Sequence, residues 1–383
     1  TICAFASNSV NSGVTTLTVT VTNVSAGQRV LLTYLEGTTT KTLKFFGTTG
    51  TITTSALTAT TDYTLVSVQS FDSAALSYTG CSNSTLTSTA TVKVNVLPTV
   101  TLNSVGGPIC SGSATTYSIT VSNVASTQGW SVTGTIKTDP STTVSLTGVT
   151  GTGSGTFTFN TPTLTNTTSP SVGLAVTLTK ITNTTTGCQS DTFVKTKDIT
   201  VNQATTVGTV GSNVTVCKAT SPTTNSATFT YTPDAQNASV VRWESLPTGS
   251  SSWSTINNTS NTLTVTNLTQ TTQYRVVVKN GACNELASSS VTATVQELPV
   301  ATVSGSQTIC SGTTANISVS VTNVSAGQRV LLTYLEGTTT KTLKFFGTSG
   351  TITTSALTTN TDISLVSVQS FDSTALSYRG CSN

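Results

Sequence analysis

The sequence predicts an all-β protein built of tandem β-sandwich domains. Three observations carry that prediction: a composition dominated by β-branched and hydroxyl residues, period-two alternation broken by turn residues, and cysteines that recur in two alternating contexts. Of 383 residues, 94 are threonine. Threonine and valine lose side-chain freedom in helices and pack well on pleated sheets. Charged residues make up only 8%, against about 25% in ordinary soluble domains, so hydroxyl groups must wet the surface. No 3.6-residue periodicity of useful length is present.

The cysteines define the repeat. Cys3, Cys110, Cys217 and Cys310 lie in "TICAF", "PICSG", "TVCKA" and "TICSG", a first context. Cys81, Cys188, Cys283 and Cys381 lie in "TGCSN", "TGCQS", "GACNE" and "RGCSN", a second context. The contexts alternate, with the members of each pair 78, 78, 66 and 71 residues apart. That is four units of one design. Each unit after the first opens with a short β pattern ("TVTLNSV", "TTVGTVG", "VATVSGS"). Alternating runs such as "ISVSVTN", "RVLLTYLEG", "TKTLKFFG" and "DISLVSVQSF" fill the interval between cysteines. A closing run follows the second cysteine ("STATVKVNV", "VKTKDITVN", "SVTATVQEL"). About seven strands per unit, with turns every 8–12 residues, is the pattern of an immunoglobulin-like sandwich.

The expected domains are 1–97, without its opening strand, 98–202, 203–298, and 299–383, without its closing strand. Trp130 and Trp243 fall on the third strand of their units, and Tyr34 and Tyr334 are expected to take that role in the first and last. Phe45, Phe46, Phe345 and Phe346 read as core and edge residues. The joints at Leu97–Pro98 and Leu298–Pro299 are short and proline-stiffened, which predicts a rod or filament. The joint at Asn202–Gln203 lacks the proline.

A longer period overlies the shorter one. Val21–Asn83 recurs as Val321–Asn383 with seven differences, at Thr49, Ala59, Thr60, Tyr63, Thr64, Ala74 and Thr79 in the first copy. The repeating block is therefore 300 residues holding three different sandwiches, and the chain is expected to be a window on a longer repetitive polypeptide.

Several function classes are excluded by residue type. Histidine is absent, which removes Ser-His-Asp and Cys-His nucleophilic sites and Cys/His zinc centres. The 13 acidic residues are scattered, and the Gly-rich Gly151–Phe157 stretch reads as a hairpin turn. Neither an enzyme nor a cofactor is expected. A net charge of +3 without a basic run gives no footprint for nucleic acid. No apolar stretch reaches the length of a membrane-spanning helix.

Evenly distributed cysteines in such a chain read as extracellular disulfides involving all eight. Two wirings are open. One closes each unit on itself: Cys3–Cys81, Cys110–Cys188, Cys217–Cys283 and Cys310–Cys381. In the other, the start of the second strand and the end of the sixth lie at opposite ends of a sandwich, too far apart to bond. The foot of one unit then meets the head of the next: Cys3–Cys188, Cys110–Cys283 and Cys217–Cys381.

"TICSG" before a Thr/Val strand, "GC" plus Ser ahead of a final "TATVKV" strand, and "LP" at the joint resemble Ig-like repeats of giant cell-surface adhesins of Bacteroidota. The nearest type is the SprB-like gliding adhesins exported by type IX secretion, and the resemblance covers essentially the whole chain. It implies an extracellular filament at the cell surface whose partners are neighbouring repeats of the same chain and surface glycans or substrata. Asp72-Ser73-Ala74 and Asp372-Ser373-Thr374 look like the Asp-Ser/Thr acceptors of O-glycosylation in that phylum, placing glycans on Ser73 and Ser373. Sequons at Asn23, Asn166 and Asn267 carry little information in so threonine-rich a chain. Two further readings stand beside the shaft. One is a carbohydrate- or receptor-binding module with Trp253 as its exposed aromatic; the other, weaker, is ice binding through threonine arrays.

Overall fold

The computed structural model describes residues 2–3, 13–25, 27–71, 76–103, 106–220, 224–234, 238–325, 327–371 and 381–382. All regular structure among them is β. Two compact units hold the chain: Thr1–Ala204 with Gly281–Cys283, and Thr205–Asn280 with Asn284–Asn383.

In the first unit, the strands Thr39–Phe46, Arg29–Glu36 and Thr61–Ser70 form one sheet, to which Ser82–Asn83 and Thr89–Val92 add along Thr61–Ser70. Thr16–Thr20 pairs Thr49–Thr53 in the facing layer. Val19, Leu32, Tyr34, Ile52 and Tyr63 fill the space between. The same plan recurs in the next stretch. Thr99–Leu102, Thr116–Ser122 and Gly155–Asn160 form one sheet, and Ile109–Cys110, Lys195–Asn202, Ser171–Asn183, Gly129–Lys137 and Thr143–Thr152 form the other. A larger core around Tyr117, Ile119, Trp130 and Leu178 lies between them.

The second unit repeats the plan twice. Thr209–Val210, Ser226–Thr232 and Thr262–Thr266 face a sheet of Val214–Cys217, Val291–Gln296, Thr272–Lys279, Ser239–Pro247 and Ser254–Ile256, over a core containing Phe229, Tyr231 and Trp243. Val300–Ser304, Asn316–Thr322 and Ser349–Thr353 face Thr339–Phe346, Arg329–Glu336 and Ile363–Ser370, over Val319, Leu332, Tyr334 and Ile352. The all-β, tandem-sandwich reading of the sequence is what the structure holds.

The strands follow from alternation. In "SATFTYT", Ala227, Phe229 and Tyr231 are buried and the threonines between them are exposed, because successive side chains point to opposite faces. The outer threonines meet across strands: Thr228 and Thr264 hydroxyls are 2.9 Å apart, Thr177 and Thr196 3.1 Å, and Thr64 and Thr89 3.0 Å. Such pairs contribute about 0.2–1 kcal/mol each and give the outer face hydrogen bonds without charge. The hairpin between Arg29–Glu36 and Thr39–Phe46 turns through two residues, where Gly37 adopts φ 59° as the tight hairpin turns demand.

Trp130 and Trp243 are both buried on the third strand of their sandwiches, but at different registers. Counted from the pairing of the first-context cysteine with the closing strand, Tyr34, Gly134 and Trp243 occupy equivalent positions, opposite Leu65, Leu178 and Val276. Tyr34 and, opposite Leu365, Tyr334 therefore stand where Trp243 stands. Trp130 lies four residues earlier than Gly134, against Gly151, whose missing side chain leaves room for the indole. A side chain at Gly134 would strike the Thr177 and Leu178 backbone, so the second sandwich places its aromatic near the start of the strand, not at its middle.

One charged group is built into the first core. Glu36 is 8% exposed. It accepts hydrogen bonds from the Tyr63 hydroxyl at 2.6 Å and the Ser55 amide at 3.1 Å, and from the Lys41 ammonium and the Ser55 hydroxyl. Burial alone would raise its pKa; the hydrogen bonds from Lys41, Ser55 and Tyr63 overcome this and bring it to about 2. Burial, with Glu36 alongside, pushes Tyr63 up. A carboxylate whose folded pKa is depressed contributes stability above its unfolded pKa of about 4.3 and loses it as the pH falls toward the folded value. Chemical denaturation between pH 7 and 2 should therefore show stability declining below about pH 4.3. Glu36→Gln should cost about 1–3 kcal/mol at pH 7 and should flatten that decline. An unchanged pH profile in the variant would show that Glu36 does not set it.

Candidate functional site

The cysteines are positioned by one recurring device. After the opening strand, the chain forms a short segment that pairs in parallel with the end of the closing strand. Ile2–Cys3 pairs Val94–Asn95, Ile109–Cys110 pairs Val201–Asn202, and Val214–Cys217 pairs Ala293–Gln296. Cys3, Cys110 and Cys217 thus each face an amide residue, Asn95, Asn202 and Gln296, where their sandwiches end. The second-context cysteine sits at the opposite end. In the second sandwich, Cys110 lies beside Asn202, which pairs with Ser171, whereas the Cys188 carbonyl accepts from the Asn183 amide at 2.8 Å. Ser171 and Asn183 are the two ends of one strand, about 40 Å apart at 3.3 Å per residue. A Cys110–Cys188 bond is therefore excluded by geometry in this fold.

The joint brings different partners together. From Asn95 only Val96, Leu97 and Pro98 intervene before the next sandwich begins at Thr99. Thr99 pairs Ser122, and the turn after it is made by Asn123 at φ 64°, whose side-chain amide donates to the Leu97 carbonyl at 3.1 Å. Asn183 orders the neighbouring turn, accepting from the Thr185 and Thr186 amides at 3.1 Å and donating to Gln128 at 2.8 Å. Cys188 follows, fully buried. The structure bonds Cys3 to Cys188 with Cα atoms 5.3 Å apart. In the second unit, Asn323, at φ 61°, donates to the Leu298 carbonyl at 2.9 Å, and Cys217 is bonded to Cys381 at 5.3 Å. The joint without proline uses Asn202 itself. Its side-chain oxygen accepts from the Ala282 amide at 3.0 Å, and Cys110 is bonded to Cys283 at 4.7 Å.

Of the two wirings left open by the sequence, the structure carries the one that joins successive repeats. The expectation that all eight cysteines pair is not met within this chain: Cys81 and Cys310 are exposed and unbonded. Ser73 and Ser373 lie outside the described residues. Asn166 is 1% exposed, and its side-chain amide donates to the Ser169 and Val201 carbonyls at 2.8 and 2.9 Å, so it is a structural residue and not a glycan acceptor.

The other candidate positions are occupied by packing. The Arg275 guanidinium covers Trp253 at 4.2 Å and pairs with Glu244 at 2.7 Å. Glu244 also takes Arg242 at 2.8 Å, and Arg242 reaches Glu285 at 2.5 Å. Burial would raise Glu244, yet Arg275 and Arg242 hold it below the usual carboxylate range. That carboxylate is not poised to exchange protons near neutrality. Phe45 packs against the first core, while Phe46 and Phe346 are about two-thirds exposed, with Arg29 and Arg329 guanidinium groups 5.6 and 5.4 Å over their rings. Among the described residues no group of three metal-ligating side chains converges, and no helix is long and apolar enough to cross a membrane.

The Gly281 position tests the geometry of the proline-free joint. It adopts φ 50°, and a Cβ there would strike the Asn202 side chain. Gly281→Val should leave Cys110 and Cys283 open to alkylation after oxidative refolding while the other two bonds form normally. Full Cys110–Cys283 bonding in the variant would show that the close approach is dispensable.

Residues 206–297 match a family described as Domain of unknown function (DUF8696), which covers less than half of the chain. No curated protein matches the sequence. Among solved structures, the tetra-tandem repeat in the extending region of a large adhesion protein is similar at 13% identity. It covers 95% of this chain and 97% of that one, with a TM-score of 0.29. The FN1–FN3 domains of chicken CNTN1 align at 13% identity over 73% and 93% of the two chains, with a TM-score of 0.27. A marsupial T cell receptor aligns at 12% over 72% and 96%, with a TM-score of 0.31.

Proposed function

We propose that this chain is a length of the shaft of a long extracellular adhesive filament at a bacterial cell surface, serving attachment or gliding, and built from four sandwich repeats bounded near residues 97, 202 and 298. The single observation that carries this reading is the order of the bonds. Through Cys3–Cys188 and Cys217–Cys381, the shortest covalent path from Cys3 to Cys381 crosses only the 29 peptide steps from Cys188 to Cys217. Tension applied along the chain passes through cystines and one short run of backbone, and the cores of the first and fourth sandwiches lie off that path.

Such an arrangement suits a part whose task is to transmit force. Bonds closing 185, 173 and 164 residues each stabilise by about 5 kcal/mol on the chain-entropy model. Cystines of this kind belong to exported proteins, and the neutral threonine face suits a surface that must stay soluble with little charge. The binding-module reading is less well supported, because its best aromatic, Trp253, is covered by Arg275.

Pulling single molecules from residues 3 and 381 tests the proposal. The oxidised chain should extend to no more than about 110 Å between those points, at up to 3.6 Å per residue. After reduction the same chain should lengthen more than tenfold. Stepwise unfolding of whole sandwiches in the oxidised chain would contradict the reading.

A further inference from the structure

Cys310 and Cys81 are seated like their bonded counterparts. The Thr313 amide donates to the Cys310 carbonyl at 3.1 Å and the Gly312 amide to the Leu357 carbonyl at 2.8 Å. The matching distances around Cys110 are 3.1 Å from the Ser113 amide and 2.9 Å from the Gly112 amide to Leu164. Gly312 and Gly112 adopt φ 84° and 87°. At the other kind of site, the Cys81 carbonyl accepts from the Ser70 amide at 3.1 Å, and the Cys381 carbonyl accepts from Ser370 at 3.1 Å. Yet Cys381 is bonded and 2% exposed, whereas Cys81 is exposed and unbonded, in two copies that are nearly identical in sequence. The local backbone around both unbonded thiols is therefore already that of a bonded site.

We propose that Cys310 and Cys81 are the two open ends of one disulfide ladder, each a bonding site for a further sandwich of this design: Cys310 takes the second-context cysteine of one repeat, and Cys81 the first-context cysteine of another. This rests on the filament reading. The bond forms by exchange with a small disulfide such as oxidised glutathione. The Cys310 thiolate attacks it, breaking its S–S bond and releasing one glutathione thiolate. The partner cysteine's thiolate then attacks the Cys310 sulfur, forming the inter-repeat bond and releasing the second. Two thiol protons go to solvent and two electrons to the glutathione pair. A bonded Cys310 would create a second covalent path, through Cys110–Cys283 and on past Cys310, beside the one through Cys188 and Cys217.

The test continues the full chain after Asn383 with a second copy of its own residues 84–383, the sequence that follows the equivalent Asn83. After oxidation with glutathione, the folded chain is alkylated and weighed. The ladder predicts two alkylated thiols, as in the original chain, with three more disulfides, one of them from Cys310 to the added copy of Cys188. Four alkylated thiols, or Cys310 bonded to any other cysteine, overturns it. If Cys310 stays open while the three bonds of the original chain persist, the ladder fails and the shaft reading stands.

The open edge of the fourth sandwich supports a second inference. In the first sandwich, Thr61, Asp62, Tyr63 and Thr64 pair with Val92, Thr91, Ala90 and Thr89. In the fourth, the equivalent strand begins only at Ile363. A cavity of about 620 Å³ lies beside it, lined mostly by serine, threonine and amide residues but with Val303, Ile317, Leu357 and Ile363 among them, and Val366 is 55% exposed. We infer that this groove accepts an antiparallel strand with the alternation of Ser88–Asn95, its valines facing the cavity. A synthetic peptide of residues 84–97 should raise the melting temperature of the chain and protect the amides of residues 361–364 from exchange. The same peptide with Val92→Asp and Val94→Asp should do neither. No shift with the first peptide, or an equal shift with both, overturns the assignment.

Discussion

The rest of this structure depends on a two- to four-residue parallel pairing. Where Ile2–Cys3, Ile109–Cys110 and Val214–Cys217 cross to lie beside the closing strand, each first cysteine is carried to the end at which its sandwich hands over to the next. Parallel pairing is slightly weaker per residue than antiparallel. Here its value is positional: it selects which cysteine can be reached. Once that contact is made, a joint of three residues and an asparagine turn suffice to set the bond.

The same economy appears in the surface and the core. With so few charges, the outer faces rely on threonine pairs across strands, and the buried carboxylates Glu36, Glu244 and Glu336 are each held by several donors. Glu36 and Glu336 each take a lysine and a serine at the same sheet position. Tyr63, replaced by Ile363 in the later copy, adds a further donor to the first of them. The two copies thus share the ion pair and both carboxylates are held below the usual range, the first with one donor more. Surface ion pairs elsewhere, such as Lys218–Glu297 at 2.8 Å, add little.

Much of this was legible in the sequence, for physical reasons. Alternation in "SATFTYT" or "RVLLTYLE" encodes burial directly, and cysteine contexts encode the repeat. The strand-direction argument against a self-closing bond needed only the reach of a disulfide. The parallel segment was not legible. "TICAF" and "PICSG" are too short and too rich in turn residues to read as strands, and parallel pairing with a run some 90 residues later leaves no local periodicity. The signal that was present is the amide in "KVNV", "TVNQ" and "TVQE", which faces the cysteine in every complete repeat. The position of Trp130 was also hidden, because it depends on Gly134 and Gly151, whose roles appear only once the strands are in register.

Peptide mapping of the oxidised chain under non-reducing conditions tests the central claim most directly. The account predicts Cys3 linked to Cys188, Cys110 to Cys283 and Cys217 to Cys381, with Cys81 and Cys310 recovered as thiols. A peptide pair linking Cys110 to Cys188, or Cys3 to Cys81, would contradict it.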